Sequence, residues 1–400
     1  HLGNLFAFAG GLGMFLYGMN VMADGLQKTA GNKMRQLLGY LTNNRFLGVL
    51  VGALVTAIIQ SSSATTVMVV GFVNAGIMNL TQAAGVIMGA NVGTTITAWL
   101  VSANEWAGAL KPEFFAPLIL AIGAFIVTFS NKQKLNQKAE IAVGFGVLFI
   151  GLSFMSSSIG VYQSSPIFAK AFEVLGGNPI LGILVGAVVT AIIQSSSASV
   201  GILQTLAMKG IVNWRSAVFI TLGQNIGTCI TALLSSAGAN KTAKRAAVIH
   251  LSFNIIGAAI YGIIMTIFFG VFDHLAMQHI SSTEISIFHS IFNVSVTVLL
   301  FPFANVLVKL SGLIIHEEPE DEEDEEVEEM VLRHLDPRIL ETPSFAVENA
   351  VKEVVRMGDI VLKNMKRVTK EAMNPQPSEK QLDKVFRDEK VINHLETMIT

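Results

Sequence analysis

Two short phrases carry the residues that could do chemistry, and each occurs twice. Thr56-Ala-Ile-Ile-Gln60-Ser61-Ser62-Ser63-Ala64 returns as Thr190-Ala-Ile-Ile-Gln194-Ser195-Ser196-Ser197-Ala198, 134 positions later. Asn91-Val-Gly93-Thr94 returns at the same spacing as Asn225-Ile-Gly227-Thr228, and Thr97 as Thr231. The amides and hydroxyls of these phrases do not titrate near neutrality. No Lys, Arg, Asp or Glu lies in residues 47–75, 82–101, 180–208 or 216–235. A proton relay needs ionisable side chains and has none here. Neutral oxygens from Gln60, Asn91, Thr94, Gln194, Asn225 and Thr228 suit a hard alkali cation. Gly93 and Gly227 are expected to let the backbone open and lend carbonyls.

The serines suit the opposite charge. If a helix starts at Ser61–Ser63 and another at Ser195–Ser197, each start offers unpaired N–H groups and about half a positive charge. Such a start is a ready site for an oxyanion, and serine hydroxyls add donors. Two starts supply only about one positive charge in total, and moving an anion toward the negative side of a membrane costs about 2.3 kcal/mol per charge per 100 mV. With no fixed cation in the phrases, a mobile cation must accompany the anion, and sodium is the natural one. Isolated Ser, Thr and Asn in apolar helices usually just bond to neighbours, but that does not explain two phrases repeated together at one spacing. No nucleophile–base pair or metal cluster is readable in this core, so an enzyme is not expected.

The elements that position these phrases follow from composition. The chain is 52% hydrophobic and 14% charged, where soluble domains carry about 25% charged residues. Apolar stretches of spanning length fill residues 2–310. They read as an all-α integral membrane domain of two repeats, residues 1–134 and 135–311. Full spans are expected at 5–22, 82–101, 114–130, 141–158, 216–235, 246–269 and 285–310, with the Asn-x-Gly-Thr phrases interrupting two of them. Residues 47–75 and 180–208 have a polar centre and flanks too short to cross. Each reads as a re-entrant hairpin, tolerated at that depth only where buried in protein or lining a wet cavity. Each repeat reads as three full spans plus its hairpin, with a last span following in the second unit; three is odd, so the second repeat is inverted. With the N-terminus outside, cytoplasmic loops collect Lys28, Lys33, Arg35, Arg45, Lys132, Lys134, Lys138, Lys241, Lys244, Arg245 and Lys309, against Lys111, Lys170, Lys209 and Arg215 outside. Inverted repeats with broken helices meeting at mid-membrane are a secondary-transporter design. The location expected is the plasma (inner) membrane, multi-pass, with the C-terminal domain cytoplasmic.

The remainder is polar. Glu317 to Glu329 is an acidic run that reads as a solvated linker, residues 312–339. Residues 340–400 read as a soluble helical tail. Val347, Val351, Val354, Gly358, Val361, Met365 and Val368 form one helix stripe, and Leu382, Val385, Ile392, Leu395 and Ile399 a second. Two such helices need each other, more chain, or a second copy as in a homodimer. Ser378 with Gln381 reads as a capping box. His250 with Phe253-Asn254 and His289 with Phe292-Asn293 form a smaller echo, read as polar pairs satisfied between helices. Cys229 stands where the first copy has Thr95 and reads as packing; being the single cysteine, it excludes an intramolecular disulfide. Asp24 and Asp273 read as loop residues at span ends. The net charge of -2 gives no reason to expect a nucleic-acid partner. The first residue is His1, so the N-terminus reads as trimmed, and no cleavable signal pattern precedes the first apolar stretch.

At the doubled Gln-Ser-Ser-Ser and Asn-x-Gly-Thr phrases the chain resembles the type II sodium/phosphate cotransporter family, which includes bacterial members, over about residues 5–310. From about Leu340 to Thr400 it resembles the PhoU-like helical domain of those bacterial members, most closely at Asp388-Glu-Lys-Val-Ile-Asn-His-Leu-Glu396. Asn393 there departs from the acidic metal motif of that domain, so no metal beyond sodium is expected. The resemblance implies inorganic phosphate as substrate, sodium as coupling ion and no organic cofactor. Carried over by motif, Ser61, Ser62, Ser63, Ser195, Ser196 and Ser197 would hold phosphate. Gln60, Asn91, Thr94, Gln194, Asn225 and Thr228 would share sodium, with Thr66 and Ser199 as further candidates. The implied mechanism is sodium-coupled symport by alternating access. Its rivals are a sodium-coupled carrier of another oxyanion and a phosphate-sensing membrane protein that signals through its tail.

Overall fold

The computed structural model describes residues 2–39, 44–162, 165–316, 336–340, 343–375 and 378–399. These residues are helical throughout, apart from turns and one isolated bridge between Asn213 and His279. Among the described residues, seven helices are long and apolar enough to cross a bilayer. In chain order the helices of the apolar part are α1 (Leu2–Gly39), α2 (Arg45–Ile59), α3 (Ser62–Asn74), α4 (Leu80–Trp106), α5 (Pro112–Phe129), α6 (Gln133–Gly160), α7 (Pro166–Gly177), α8 (Pro179–Ile193), α9 (Ser196–Met208), α10 (Trp214–Gly227), α11 (Cys229–Ser236), α12 (Lys241–Val271), α13 (Asp273–Ala276), α14 (Ser282–Leu300) and α15 (Ala304–Ile314). The acidic run Glu317–Glu329 lies outside the described residues.

Each helix start that matters to the repeat is fixed by a side-chain cap. Asn44, Ser61 and Asn79 cap α2, α3 and α4, and Asn178, Ser195 and Asn213 cap α8, α9 and α10 at the same spacing. Each accepts a hydrogen bond from a backbone N–H that its helix leaves unpaired. Sequence reasoning did not identify α7, an amphipathic helix that meets α8 at a bend of 112°.

The repeat is also visible in how closely helices approach. A Cβ at Gly52, Gly89 or Gly93 would sit 2.1, 2.0 or 2.4 Å from a backbone oxygen across the α2–α4 contact. In the second copy Gly186, Gly223 and Gly227 repeat this on the α8–α10 contact at 2.1, 1.9 and 2.4 Å. Apolar helices gain nothing from hydrophobic association within lipid, so close backbone packing of this kind supplies much of the attraction. Gly11 and Gly18 on α1 meet Gly151 and Gly144 on α6 in the same manner. The largest core cluster then joins the copies, drawing residues from α2–α4 and from α10–α12, α14 and α15.

The Asn-x-Gly-Thr phrase corrects the expectation of an opened backbone. α4 runs through Asn91-Val-Gly93-Thr94 without a break, and in the second copy the helix lapses only at Thr228. The Thr94 and Thr95 hydroxyls bond back to the carbonyls of Ala90 and Val92 at 3.1 and 2.7 Å, so the turn keeps its own oxygens occupied. Gly93 and Gly227 serve close approach rather than carbonyl exposure.

In the tail, helices Pro343–Ala372 and Glu379–Ile399 are tied by Asn364 Nδ2 donating to the Val385 carbonyl at 3.1 Å and by an Arg367–Asp388 ion pair. Val391 and Leu395 are buried, whereas Val347, Val351, Met365 and Val368 of the first stripe stay exposed. The capping box expected at Ser378 is not formed: the Ser378 N–H goes to Glu371 at 2.9 Å. The short helix Pro337–Leu340 docks on the apolar part beside α3.

Gly223→Ala should force α8 from α10 and lower stability by about 1–3 kcal/mol. Gly13→Ala, where nothing lies within 4 Å of the added carbon, should not. Thermal unfolding in detergent compares the two, and equal losses would show that the close contact contributes nothing.

Candidate functional site

The site begins with two residues in an unfavourable conformation. Gln60 and Gln194 end α2 and α8 in the left-handed region at φ 56° and 55°, the only non-glycine residues with positive φ among those described. Left-handed backbone costs a residue with a Cβ about 1–2 kcal/mol. The return comes partly from the Gln60 and Gln194 N–H groups, which reach the carbonyls of Thr56 and Thr190 at 2.7 and 2.8 Å. The next residue is extended, and its side chain then caps the following helix: Ser61 Oγ accepts from the Ala64 N–H at 3.1 Å, and Ser195 Oγ from the Ala198 N–H at 3.2 Å. Each apolar segment thus stops, turns within two residues and restarts at its serines.

The two restarts meet. Ser62 Oγ and Ser196 Oγ are 3.4 Å apart although 134 residues separate them. Ser61–Ser63 and Ser195–Ser197 line one cavity of about 360 Å³, together with Gln60. Two helix N-termini with their N–H groups and hydroxyls therefore converge on a single space, which is the chemistry of an anion site.

Other walls of that cavity were not anticipated. Asn20, Asp24 and Gln27 line it from α1, and Arg338 from the short helix Pro337–Leu340 at the junction of linker and tail. Asp24 is not a loop residue, because α1 continues through it to Gly39. The signal was present as a polar stripe at i, i+4 and i+7 on an otherwise apolar helix. Nothing comparable announced Arg338, which stands beyond the acidic run.

The oxygens proposed for a cation fall into three groups. Gln60 is buried, and its Oε1 accepts from the Thr97 hydroxyl at 3.1 Å. Its copy Gln194 is exposed and outside the cavity, and Thr231 instead donates to Ser63 Oγ at 3.3 Å. Asn91 and Asn225 donate through Nδ2 to Oδ1 of Asn254 and Asn293 at 3.1 and 2.7 Å. Those acceptors are the asparagines of the His-x-x-Phe-Asn echo, whose Asn residues thus make interhelical polar contacts. Its histidines depart from the satisfied pairs expected: both ring nitrogens of buried His250 and Nδ1 of His289 have no partner among the described residues. Thr228 bonds back to the Gln224 carbonyl at 3.0 Å, as Thr94 does to Ala90. None of Asn91, Thr94, Asn225 and Thr228 lines the cavity.

Ser199 receives the Thr190 hydroxyl at 2.8 Å, and its structural counterpart is Thr65, which receives Thr56 at 2.9 Å. Thr66 occupies a different place: it donates to the Ser63 carbonyl at 3.0 Å. Gln224 was also missed. Its Nε2 donates to Ser199 Oγ at 3.0 Å, while its buried Oε1 has no partner among the described residues. Ala90 stands at that position in the first copy, so this free oxygen belongs to one repeat only. Cys229 is buried, with Asn254 Nδ2 3.3 Å from its sulfur.

Comparison with known proteins bears on these residues. Residues 14–157 and 164–299 match the profile described as Na+/Pi-cotransporter, one segment around each copy of the phrases. The chain is 28% identical over 380 residues to a putative inorganic phosphate export protein, YjbB, of Salmonella typhimurium, covering 95% of this chain and 67% of that protein. It is 31% identical over 311 residues to the uncharacterized protein YqeW of Bacillus subtilis, covering 78% of this chain and 98% of that one. A stretch of 126 residues is 31% identical to the human sodium-dependent phosphate transport protein 2B, covering 28% of this chain and 18% of that protein. No solved structure matches.

The left-handed tips can be tested directly. Glycine is free at positive φ but costs about 0.5–1 kcal/mol in the unfolded chain, so Gln194→Gly should leave stability within about 0.5 kcal/mol of the parent. Gln194→Val should lose about 2 kcal/mol, since a β-branched residue resists that backbone. Unfolding midpoints in detergent provide the measure, and equal midpoints for the two variants would contradict the assigned conformation.

Proposed function

The chain belongs to the Na+/Pi-cotransporter family, whose members are transporters rather than enzymes, and on that premise we propose that it moves inorganic phosphate across a membrane with sodium as the coupling ion. The observation that carries the reading is the 3.4 Å approach of Ser62 to Ser196, which brings two helix N-termini to one cavity. Phosphate would sit between the two serine clusters, its oxygens taking hydroxyl and backbone N–H donors. The two starts supply about one positive charge, and a phosphate near pH 7 carries about one and a half to two negative ones. Sodium makes up the difference.

Oxygens for sodium are at hand behind both tips. Gln60 Oε1 with Thr97 serves the first copy, and Gln224 Oε1, beside Ser199 and Thr190, the second. Asn91, Asn225, Thr94 and Thr228 then act by holding these helices in register, and Gln194 joins the site only if the tip closes on it. The symport cycle exposes the cavity to alternate sides as the glycine-locked pairs α2–α4 and α8–α10 shift against the rest.

We read α2–α3 and α8–α9 as re-entrant hairpins in two inverted repeats, with the N-terminus outside and the tail cytoplasmic. The odd number of full spans per repeat and the excess of basic residues in the loops so assigned support this. The exposed valine stripe of Pro343–Ala372 suits a second copy of the chain. Net phosphate export is a second reading, favoured by the printed name of the Salmonella relative. Under it the same site works with its gradients reversed.

Labelled phosphate should accumulate in proteoliposomes under an inward sodium gradient and not under potassium. Ser196→Ala removes one donor to a charged ligand and should raise the apparent KM about tenfold. Sodium-independent uptake would remove the coupling, normal kinetics in Ser196→Ala would remove the site, and preference for sulfate would change the substrate. Sodium-driven efflux from phosphate-loaded vesicles without uptake would favour the export reading.

A further inference from the structure

We propose that Asp336, Arg338 and Ile339 form a clasp that holds one mouth of the serine cavity shut by fastening the first repeat to the second. The tail is thereby a gate on the cavity as well as a domain beside it. The proposal rests on the cavity being the transport site, and goes beyond that reading in assigning the tail a part in access.

The clasp has three attachments. Asp336 is buried at 3% exposure, and its Oδ2 accepts from Asn74 Nδ2 at 2.8 Å at the end of α3. Arg338 donates through Nη1 to the Ser235 carbonyl on α11 at 2.8 Å. Ile339 is fully buried in the core cluster of the apolar part. Gly71 on α3 leaves it room, since a Cβ there would lie 3.0 Å from Ile339 Cγ1 and 3.1 Å from Arg338 Cβ. α3 is the half-helix that begins at Ser62, and α11 follows the second Asn-x-Gly-Thr phrase. A second bond reinforces the crossing: the Asn240 N–H at the start of α12 donates to Asn74 Oδ1 at 2.8 Å. Alternating access requires such elements to move relative to one another, and the clasp bonds them together on the side where Arg338 closes the cavity wall.

The charges argue that Arg338 is a fastener and not an anion ligand. Its Nε and Nη2 each donate to a carboxylate oxygen of Asp336 at 2.6 Å, and Nη1 is taken by Ser235. Three of the five guanidinium donors are taken, and its charge is neutralised by a buried partner, so it adds little field to the cavity. A ligand arginine would be expected to turn its paired Nε and Nη2 donors to the space it lines, and here that pair is on Asp336. A clasp built from one buried ion pair fails as a unit, because removing either partner strands the other without compensation.

The experiment uses the full chain with Cys229→Ser and a single reporter, Ala23→Cys, on the cavity wall in α1. A membrane-impermeant maleimide is applied from the tail side, and labelling rates are compared for the reporter alone and with Asp336→Ala, Asp336→Asn or Arg338→Ala. Sodium-driven phosphate uptake is measured in parallel. Releasing the clasp should raise labelling about threefold or more, as a shifted open–closed equilibrium requires, and should speed uptake where uptake is present. Unchanged labelling in all three variants overturns the clasp. Slower uptake in Arg338→Ala with unchanged Asp336→Asn overturns it in favour of Arg338 as an anion ligand. Faster labelling in a chain that takes up no phosphate upholds the clasp and rejects the transport reading instead. Asp336→Asn keeps the buried shape, so the comparison survives if either alanine variant fails to fold.

Discussion

A helix cannot start in a low-dielectric interior without something to meet its free N–H groups, and this fold places two such starts against each other. Water satisfies these groups at an ordinary protein surface; within a bilayer only protein, or a ligand in a wet pocket, can do so. Ser61 and Ser195 satisfy one donor each by capping. Ser62 and Ser196, the first residues of the two helices, line the same cavity with their hydroxyls 3.4 Å apart. Most other features of the apolar part serve to hold that confrontation: the left-handed glutamines that permit the turn, the hydroxyl pairs Thr56–Thr65 and Thr190–Ser199 just behind it, and the glycine contacts that set each broken segment against its long neighbour.

Backbone geometry is duplicated far more faithfully than side-chain chemistry. Caps recur at one spacing, and the glycine contacts recur with distances alike to about a tenth of an ångström. The polar contents differ: Gln60 is enclosed while Gln194 is exposed, Gln224 stands opposite Ala90, and Cys229 opposite Thr95. A duplicated scaffold gives two similar frames in one chain, and substitution can then make one frame bind what the other does not. The free Oε1 of Gln224 is the clearest product of that divergence.

The doubled phrases made the architecture legible. Apolar stretches of spanning length gave the seven long helices, and a Gln-Ser-Ser-Ser centre with short apolar flanks gave the two broken segments. The serines were readable because a helix start is a local property of sequence. The interruption expected at Asn91 was not there, because glycine in an apolar helix serves either opening or close approach, and only the facing helix decides which. Asn91 and Asn225 likewise needed partners on α12 and α14 before their role was visible. Asp24 could have been found from its polar stripe, but Arg338 could not. Its place depends on a contact across more than a hundred residues, set by the room that Gly71 leaves.

One property of the serine contact bears on what can fit there. Ser62 and Ser196 are the same residue in two copies of one phrase, and they touch. Equivalent groups that meet in this way lie astride an approximate twofold axis, as in an isologous interface. A tetrahedral oxyanion has twofold axes of its own, each relating two pairs of oxygens. Set on the local axis, it offers one pair to each helix start. On the proposed reading, a ligand with two unlike ends would leave one start poorly matched, and the shape of the duplication itself would discriminate among anions before any side chain is consulted.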